Sequence, residues 1–546
     1  MDHSIKIRTS FVFFIFIVLY GLLIFNLYIV QIKQQSFFSS LAERQYNVSL
    51  EISPPRGLIY DRTGTRPLAI NKEIYSAFLV PKSMETAEHT LMFLQKNFPH
   101  AAERFEKNTE PNFFYIKRRL SDAEKKLIED SNISDIKIVK EAGRFYPCPF
   151  VGTIVGMTNI DNVGITGIEL LFNDKLSGSP EKVSLEKDAR SNQFYFKKST
   201  KEEGISSLPI KLTIDSDLQF LAVEEAKECL EKFGFKEVSA VIINPDNGEI
   251  LALVSLPDFD PNDISNVDVE SIKNRTISNV YELGSVMKVF VSLAALEEGV
   301  IRPDDIIDCG GSKNVKIDGI NLSTTIALGK ATFAEVVQNS NNIGMAFVGK
   351  KLGEKLYDHY TRVGFGEKTN IPLPGEQSGF VNPPNNWSKR SPVSLSFGYE
   401  ITGSLLQLAK AFCIVANGGY KVHPKLILTE NPVENKKEKL YSDQSISEIR
   451  DILEKTILQG TAVKAKINGY KVMGKTGTAN MVVNGKYDVT KNRYAFCGIV
   501  EKGDYRRVIV TFAKEPEVKQ KLFAANTVAP LFEKIAEKLL IHDRVI

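Results

Sequence analysis

Cysteine and histidine are scarce in this chain, and the few that occur are spread along its length. The five cysteines form no C-x-x-C pair, and the six histidines do not cluster. Metal sites need several such ligands at short spacings. The sequence therefore predicts no metal site, and it offers no signal for another cofactor. Cys229 and Cys413 lie in apolar helical stretches, so we expect them to be buried thiols.

An excess of charge of one sign is also missing. The chain has 69 Lys and Arg against 66 Asp and Glu, which gives a formal net charge of +3. Nucleic-acid-binding domains usually carry a clear basic excess, so no nucleic-acid partner is expected. The hydrophobic fraction of 43% and the charged fraction of 25% are those of an ordinary globular protein. With 546 residues, the chain is long enough for two or three domains with full cores.

The sequence has a single long hydrophobic run, which lies near the N-terminus. Residues 11–32 contain no charged side chain, and this is enough apolar chain to cross a bilayer as a helix. Lys6 and Arg8 precede the run, so the short N-terminus should stay in the cytoplasm. No small-residue cleavage site follows, which favours an uncleaved signal anchor over a removed signal peptide. A buried core helix is the alternative. If the run is an anchor, everything after Lys33 lies outside the cytoplasm.

A serine stands three residues before a lysine in the stretch Glu282-Leu283-Gly284-Ser285-Val286-Met287-Lys288. Residues 286–296 have helical spacing, and Gly299 is a natural stop. Residues three apart share a helix face, so Lys288 is expected beside the Ser285 hydroxyl. The free N–H groups and positive dipole of a helix start suit a nucleophile that must lose a proton and carry an oxyanion. The alternative is an N-cap serine followed by a solvated lysine.

Two later stretches favour the catalytic interpretation. Ser340-Asn341-Asn342 lies between two apolar helices, and Lys475-Thr476-Gly477-Thr478 follows further on. Each motif alone is common, and Ser134 with Lys137 has the first spacing by coincidence. The order S-x-x-K, S-x-N, K-T-G is, however, the motif set of penicillin-binding proteins and class A β-lactamases. On these motifs the chain resembles a class B penicillin-binding protein, a D,D-transpeptidase of peptidoglycan synthesis.

A stretch after the membrane run resembles the first signature of that family's pedestal domain. Residues 54–64 contain the pattern Arg-Gly-x-Ile-x-Asp-Arg-x-Gly and end in turn chemistry. Its charged residues are expected to be structural and not catalytic. We expect Arg56, Asp61 and Arg62 to form ion pairs that fix the pedestal.

A second pedestal signature follows. Arg144-Phe145-Tyr146-Pro147 leads to the pattern Gly-x-x-Gly-x-Glu at residues 164–169. Between them, residues 156–161 resemble the cell-division branch of the family more than the elongation branch. The predicted division of the chain is a cytoplasmic N-terminus at 1–10, a transmembrane signal anchor at 11–32, a pedestal (dimerisation-type) domain at 33–205 and a transpeptidase domain at 206–546.

The resemblance implies an α+β fold. It consists of a single transmembrane helix, an elongated pedestal and a transpeptidase domain like that of the β-lactamases, with an antiparallel five-stranded sheet flanked by helices. The residues indicate the same arrangement. Residues 239–244 and 249–256 are apolar strands joined by Pro-Asp-Asn-Gly, a strong hairpin signal. Residues 495–500 and 507–512 form another hairpin, and 527–540 form a closing amphipathic helix. Strands from both ends of this segment predict a sheet assembled from distant pieces.

The resemblance also assigns catalytic roles. Ser285 is the nucleophile, and Lys288 is the base that activates it. That role requires a lowered pKa for Lys288, which burial and the charge of Lys475 would both produce. Ser340 relays a proton to the leaving amine. Asn342 hydrogen-bonds Lys288 and an amide of the substrate.

The third motif is expected to bind the substrate. It should be a strand that lines the cleft, where Gly474 and Gly477 let another backbone approach closely, and the substrate peptide can then pair with it as an added strand. The oxyanion hole would be two backbone N–H groups, each worth about 3 kcal/mol to the transition state. A Gly-x-x-hydrophobic-Thr stretch at 398–402 is expected to support the site. The implied substrate-binding residues are Thr476, Gly477 and Thr478, and the implied oxyanion donors are the N–H groups of Ser285 and Thr478.

The implied reaction is peptidoglycan cross-linking through an acyl-enzyme. The serine attacks the carbonyl between the two terminal D-alanines of a stem pentapeptide, and an amine from a neighbouring stem resolves the intermediate. A carboxypeptidase side activity is also implied. β-Lactams resemble the D-alanyl-D-alanine end and should acylate the same serine. The chemistry needs no cofactor or metal.

The resemblance places the chain in the bacterial inner membrane as a single-pass protein with its catalytic domain in the periplasm. The sequence shows no glycosyltransferase signature, so the implied partners are a polytopic membrane glycosyltransferase and other division proteins. Three alternatives stay open at this point. They are an elongation-type transpeptidase, a β-lactamase, and a non-catalytic β-lactam-binding scaffold or sensor.

Overall fold

The structure, a computed structural model, describes residues 3–107, 113–187, 194–264, 267–317, 319–429, 438–483, 485–517 and 522–545. The chain forms two compact units. One comprises residues 1–56 and 177–208, and the other comprises residues 57–176 and 209–546. The three catalytic motifs all lie in the second unit.

Helices and strands alternate irregularly along the described chain. The α-helices are α1 His3–Tyr28, α2 Gln35–Tyr46, α3 Ala87–Asn97, α4 Pro99–Glu106, α5 Asp122–Ser131, α6 Gly152–Val155, α7 Gly167–Leu171, α8 Asn173–Ser177, α9 Ser216–Phe233, α10 Arg275–Ser278, α11 Lys288–Glu297, α12 Phe333–Gln338, α13 Asn342–Leu352, α14 Lys355–Arg362, α15 Ser391–Leu395, α16 Leu405–Ala416, α17 Asp443–Leu458 and α18 Val528–His542. The strands are β1 Asn47–Ile52, β2 Ile59–Tyr60, β3 Pro67–Leu79, β4 Phe114–Lys117, β5 Lys137–Phe145, β6 Glu181–Lys187, β7 Phe194–Glu202, β8 Ile210–Lys211, β9 Phe235–Ile243, β10 Ile250–Leu256, β11 Ile306–Asp308, β12 Asn314–Ile317, β13 Ile320–Ser323, β14 Lys330–Thr332, β15 Phe380–Val381, β16 Ile401–Thr402, β17 Lys471–Val483, β18 Lys486–Lys502 and β19 Tyr505–Pro516.

A long apolar helix dominates the first unit. Helix α1 continues into a π-helical turn at Ile29–Lys33, so a helical span of 30 residues runs from Ser4 to Lys33. The apolar window of this span is not buried in the protein. The span is long and apolar enough to cross a membrane, and its exposure argues against the alternative of a core helix. Strands β1, β6 and β7 of the same unit form an antiparallel sheet in that order.

Strand β3 is the central strand of the pedestal part of the second unit. It pairs in antiparallel fashion with β4 and β5, and a small hydrophobic core joins these strands to α3, α4 and α5. Helix α5 begins with a capping box. The Ser121 hydroxyl accepts the Glu124 N–H, and the Glu124 carboxylate accepts the Ser121 N–H.

The second pedestal signature forms a buried ion pair. Arg144 Nε lies 2.6 Å from Glu169 Oε1, and the two side chains are 1% and 0% exposed. Arg144 Nη2 also donates to Gly57 O at 2.8 Å, and Nη1 donates to Asn71 Oδ1 at 3.3 Å. A buried ion pair holds only when hydrogen bonds also satisfy the remaining donors, as they do here. The two signatures are therefore in direct contact, because Gly57 belongs to the first and Arg144 to the second.

The first signature joins the pedestal to the transpeptidase part of the second unit. Arg62 Nη2 lies 3.2 Å from Glu249 Oε2, so the ion pair predicted for Arg62 is present. Asp61 accepts hydrogen bonds from the hydroxyls of Thr63 and Ser216 at 2.6 and 3.0 Å. Strand β2 pairs in parallel with β8, which leads into the transpeptidase part.

The transpeptidase part is built on an antiparallel sheet in the order β10-β9-β19-β18-β17. Strand β19, the last in the chain, lies in the middle. Alternate side chains of β9 enter two different cores, as the pleat of a strand requires. Val241 and Ile243 pack on the side of α11 and α16, and Ala240 and Ile242 pack on the side of α9 and α18. The predicted α+β fold, with a five-stranded sheet between helices, is confirmed.

Candidate active site

Ser285 lies on a tight turn at the start of a buried helix. Gly284–Met287 form a 3₁₀ turn, and α11 continues from Lys288. The sequence predicts that this segment starts as an α-helix. The structure differs from that prediction, because the first turn is a tighter 3₁₀ turn. In a 3₁₀ turn residues three apart are aligned, so Ser285 and Lys288 lie on one side. Ser285 is half-buried, and its hydroxyl makes no hydrogen bond to the described residues.

Two glycines allow the serine turn to pack against strand β17. Gly284 has φ +61°, and a Cβ there would lie 2.8 Å from Thr478 O. A Cβ at Gly477 would lie 2.5 Å from Leu283 O. A side chain at either position would push the two segments apart. The sequence predicts that Gly477 lets another backbone approach closely, and the backbone that does so is that of the protein's own serine turn.

The S-x-N motif occupies a turn between α12 and α13. Ser340 adopts the left-handed conformation, with φ +54°. Non-glycine residues in this region cost free energy and concentrate at functional sites. Asn341 then caps α13, since its side chain accepts the N–H groups of Ile343 and Gly344.

Lys288 connects the first two motifs. Its Nζ lies 2.7 Å from Ser340 O, 3.2 Å from Ser340 Oγ and 2.6 Å from Asn342 Oδ1. A second contact orients the Asn342 amide, because its Nδ2 donates to Ser323 O at 2.8 Å. The predicted hydrogen bond between Asn342 and Lys288 is therefore present, and Ser340 is within reach of the same amine.

The K-T-G motif lies in β17, the last strand at one edge of the sheet. Lys475 is 0% exposed, and its Nζ lies 3.3 Å from Thr476 O. Thr476 is buried and Thr478 is half-buried. An edge strand offers unpaired backbone groups, which is the feature that substrate pairing requires. The pairing itself stays a prediction.

Two buried lysines set the electrostatics of the site. Among the described residues, no carboxylate forms an ion pair with Lys288 or Lys475. Burial lowers the pKa of Lys475 from 10.5 to about 7. Burial, and then the charge of Lys475, hold the pKa of Lys288 well below its usual value. These are the two causes that the sequence predicts for Lys288.

Two residues outside the motifs complete the walls of the site. Thr461 Oγ1 lies 3.2 Å from Thr476 Oγ1, and the Thr461 N–H donates to Gln338 O at 3.4 Å. Thr324 Oγ1 accepts the Asn342 N–H at 3.4 Å. Both threonines lie in loops, and a lone threonine in a loop carries no periodic or motif signal. Sequence reasoning could not find them.

The stretch at 398–402 packs beside the serine turn. Tyr281 and Gly403 exchange backbone hydrogen bonds of 2.9 and 3.0 Å. The Glu400 N–H donates to Glu282 Oε1 at 3.2 Å. These contacts link the stretch to the segment that leads into Ser285, as its expected supporting role requires.

Among the residues that the structure describes, one group of possible metal ligands lies outside the motifs. Asp215, Asp217 and His542 bring their ligand atoms within 4.8 Å of one another, a grouping that the scattered histidines of the sequence do not reveal. All three residues have other partners, and His542 Nδ1 lies 2.9 Å from Asp543 Oδ1. Asp215 caps α9 by accepting the N–H groups of Asp217 and Leu218, and Asp217 pairs with Arg66. A helix cap and surface ion pairs account for the group.

Two protein families match this chain. The penicillin binding protein transpeptidase domain matches residues 238–537, and the penicillin-binding protein dimerisation domain matches residues 51–207. Stage V sporulation protein D of Bacillus subtilis is 30% identical over 551 residues, which cover 95% of this chain and 84% of that protein. The peptidoglycan D,D-transpeptidase FtsI of Escherichia coli K12 is 28% identical over 498 residues, which cover 89% of this chain and 83% of that protein.

Solved structures share the fold. Penicillin-binding protein 3 of Mycobacterium tuberculosis, solved with aztreonam, superposes with a TM-score of 0.69 at 23% identity, covering 91% of this chain and 98% of that chain. Penicillin-binding protein 2X of Streptococcus thermophilus superposes with a TM-score of 0.70 at 20% identity, covering 90% and 80%. With both of its domain families and a near full-length relative matched, the chain belongs to the class B penicillin-binding proteins, the D,D-transpeptidase family that its three motifs predict.

Proposed function

We propose that this chain cross-links peptidoglycan stem peptides as a membrane-anchored serine D,D-transpeptidase, with Ser285 as the nucleophile and Lys288 as its base. One observation carries the proposal. The Lys288 amine is buried, has a lowered pKa and contacts both Ser340 and Asn342, one 3₁₀ turn from Ser285. A serine hydroxyl is unreactive near neutral pH until a base takes its proton, and this amine is such a base.

The contacts of Lys288 leave its lone pair for a hydroxyl. A neutral amine has two N–H donors and one lone pair. Ser340 O and Asn342 Oδ1 are acceptors only, so they take the two donors. The lone pair is then left for a hydroxyl, and we propose that it takes the proton of Ser285. Ser340 Oγ, 3.2 Å from Nζ, is placed to pass a proton between the amine and the leaving group.

The substrate would lie along β17. Its terminal carboxylate is negatively charged, and Lys475 supplies a positive field, while the Thr476 and Thr478 hydroxyls supply hydrogen bonds. Gly477 belongs to the same binding strand. The backbone N–H groups of Ser285 and Thr478 would hold the oxyanion, since the glycine contacts bring the serine turn against this strand.

The reaction proceeds in two balanced steps. Ser285 Oγ attacks the carbonyl carbon between the two terminal D-alanines, and its proton moves to Lys288. The C–N bond breaks, and the departing D-alanine amine receives a proton through Ser340. An amine of a second stem peptide then attacks the acyl-enzyme and loses a proton to Lys288, and the Ser285 hydroxyl is restored. The products are one free D-alanine and one new peptide cross-link.

The first unit and the relatives support a proposed location and proposed partners. The helical span of Ser4–Lys33 would anchor the chain, with its N-terminus in the cytoplasm and its catalytic domain in the periplasm. We propose domains at 1–10, 11–32, 33–205 and 206–546. The similarity to FtsI and the motif at 156–161 support a septal role, with a polytopic membrane glycosyltransferase and division proteins as partners. A β-lactam would acylate Ser285, and the aztreonam complex of the mycobacterial relative supports this.

A labelling experiment tests the nucleophile. The full-length chain in detergent is incubated with a fluorescent penicillin, beside Ser285→Ala and Ser134→Ala variants, and the label is followed over time. Ser134 is the matched control, because it is exposed and has the same spacing to a lysine. We expect durable labelling of the wild type and of Ser134→Ala, and none of Ser285→Ala.

Other outcomes separate the alternatives. Rapid loss of the label would indicate a β-lactamase, and a folded wild type without label would contradict catalysis by Ser285. Incubation with a stem pentapeptide and an acceptor amine, followed by mass spectrometry, tests the cross-linking step. A protein that is labelled but forms no cross-linked product would be a β-lactam-binding sensor.

A further inference from the structure

The strand that carries the K-T-G motif ends in an irregular extension. Beyond Thr478, the pairing of β17 with β18 jumps from Asn480–Asn492 to Met481–Asp488. Such an irregularity interrupts the ladder and changes the direction of a hairpin. We name residues 481–483 together with 485–488 the arm. Because the ladder is interrupted, the position of the arm depends on other contacts.

Tyr487 attaches the arm to two segments of the active site. Its hydroxyl donates to Glu282 Oε1 at 3.1 Å. Its ring packs edge-on against the ring of Tyr399, with centroids 4.9 Å apart and planes at 80°.

One carboxylate oxygen of Glu282 accepts two hydrogen bonds from different segments. Its Oε1 accepts the Tyr487 hydroxyl at 3.1 Å and the Glu400 N–H at 3.2 Å. Glu282 stands three residues before Ser285. One carboxylate oxygen therefore joins three segments of the chain, namely the segment of the nucleophile, the supporting stretch at 398–402 and the arm of β17–β18.

These segments carry the two proposed oxyanion donors. The Ser285 N–H belongs to the segment of Glu282, and the Thr478 N–H belongs to the strand that continues into the arm. The close contacts at Gly284 and Gly477 prevent the strand from moving nearer to the serine turn. They do not prevent it from moving away. The Tyr487–Glu282 hydrogen bond links the arm to the segment of the serine, so it would resist such a movement.

We propose that Glu282 is a positioning residue. Its carboxylate holds the arm and the supporting stretch against the segment of Ser285, and so keeps the oxyanion donors of Ser285 and Thr478 in the correct positions relative to each other. This inference rests on the proposed function of Ser285. It concerns the rate of acylation and not the affinity for the β-lactam, because the oxyanion forms only during the reaction.

Stopped-flow acylation by a fluorescent penicillin tests the inference on the full-length chain in detergent. The measurement separates the dissociation constant of the first complex from the acylation rate constant. In Glu282→Ala we expect the rate constant to fall about 10- to 100-fold, since a misplaced donor costs about that much. The dissociation constant should change by less than about threefold, because ground-state binding does not use the oxyanion donors.

Two milder variants sharpen the test. In Glu282→Gln the amide oxygen still accepts both hydrogen bonds, so the rate constant should stay within about threefold of the wild type. Tyr487→Phe removes one of the two donors and should lower the rate constant by about two- to fivefold. Tyr505→Phe is the matched control, because its hydroxyl donates to Asp543 at 2.8 Å in another part of the sheet. It should leave the rate constant unchanged.

Hydrogen–deuterium exchange gives a second readout that does not depend on acylation. Amides of the arm should exchange faster in Glu282→Ala and Tyr487→Phe than in the wild type, and not in Glu282→Gln. Wild-type rates and exchange in Glu282→Ala would overturn the inference. A rate in Glu282→Gln as low as that in Glu282→Ala would also overturn it, because the charge and not the acceptor would then be needed. A folded wild type that takes no label would overturn the proposed function instead, and the exchange data would still decide the role of Glu282.

Discussion

Two buried charged clusters in the same unit are built in opposite ways. At the base of the pedestal, Arg144 faces Glu169, and further acceptors satisfy its remaining N–H groups. In the cleft, Lys288 and Lys475 are both fully buried, and neither forms an ion pair with a carboxylate of the described residues. The first cluster is electrically neutral. The lysine cluster is either positively charged or has lost a proton from one or both of its amines.

This difference separates a structural cluster from the cluster that we propose to be catalytic. A buried charge without a partner lowers the free energy of unfolding, so a protein that needed only stability would not keep two such lysines. Burial, and then the charge of Lys475, lower the pKa of Lys288, so that its amine loses its proton more readily and can act as a base. Removing a residue should therefore have opposite consequences for stability in the two clusters.

The largest expected effect is on the rate of acylation in Lys288→Met. Loss of the base should slow acylation by a fluorescent penicillin by about 10²- to 10⁴-fold. The melting temperature should not fall, because a buried cation without a carboxylate partner is replaced by an apolar side chain of similar length. Stopped-flow labelling and calorimetry on the same samples measure both quantities. Lys137→Met, an exposed lysine at the coincidental spacing, is the control. Unchanged acylation in Lys288→Met would refute its role as base.

The structural cluster should respond in the opposite way. Glu169→Leu leaves the Arg144 charge buried without its partner, which should cost about 3–5 kcal/mol of stability. The measurement is the melting temperature, together with hydrogen–deuterium exchange around residues 144 and 169. The folded fraction should still be acylated at the wild-type rate. The double variant Arg144→Met, Glu169→Leu removes both charges and should recover part of the loss, whereas simple additivity of the two single losses would contradict the ion-pair explanation.

The pH dependence of stability should reveal Lys475. Its pKa is about 7 in the folded protein and 10.5 in its ordinary state. Between these values the unfolded chain binds more protons, so the wild type gains stability as the pH rises, by at most about 1.4 kcal/mol per pH unit. Below pH 7 both states are protonated, and the cost of burial is fully present. Lys475→Met should therefore be more stable than the wild type at pH 7, and this advantage should shrink toward pH 9.5.

Melting temperatures at several pH values measure the Lys475 effect. The exposed Lys466→Met is the control, and its difference from the wild type should not change with pH. A constant advantage of Lys475→Met across the range would show that the folded pKa of Lys475 is not lowered.

The smallest expected effect concerns the wall of the site. Thr461→Val removes the hydroxyl that lies 3.2 Å from Thr476 Oγ1. The loss of one neutral hydrogen bond should cost up to about 1 kcal/mol, which corresponds to an acylation rate up to about fivefold lower. Thr361→Val, a half-exposed threonine of α14, is the control. A rate unchanged in Thr461→Val would show that Thr476 is held by its own strand alone.

The sequence predicts those parts of the site that are fixed by local spacing. Ser285 and Lys288 are three residues apart, so any helical turn places them on one side. Hairpins of β9–β10 and β18–β19 carry their own turn signals. What could not be predicted depends on contacts between distant segments. The left-handed Ser340 and the hydroxyl contact of Thr461 belong to this class.

The same limit applies to the fold. The two pedestal signatures can be recognised from their residues, but no pattern shows that Arg144 donates to Gly57 O. Nor does a pattern show that β1 pairs with β6, which places residues 177–208 in one compact unit with residues 1–56. Nor does a pattern show which backbone approaches Gly477, since the position of the serine turn is set by the packing of distant elements.

The order of strands in the transpeptidase sheet has a consequence for how the protein is made. Strand β19 lies in the middle, between β9 and β18, although it is synthesised last of the five. Until it emerges, β9 and its hairpin partner have an open edge, and such edges promote aggregation. Pairing of segments so far apart in sequence is also slow. The chain loses entropy when the long loop closes, and the contacts that compensate this loss form only afterwards. Penicillin binding should therefore appear only after the whole chain has been translated, and the nascent domain should depend on chaperones until then.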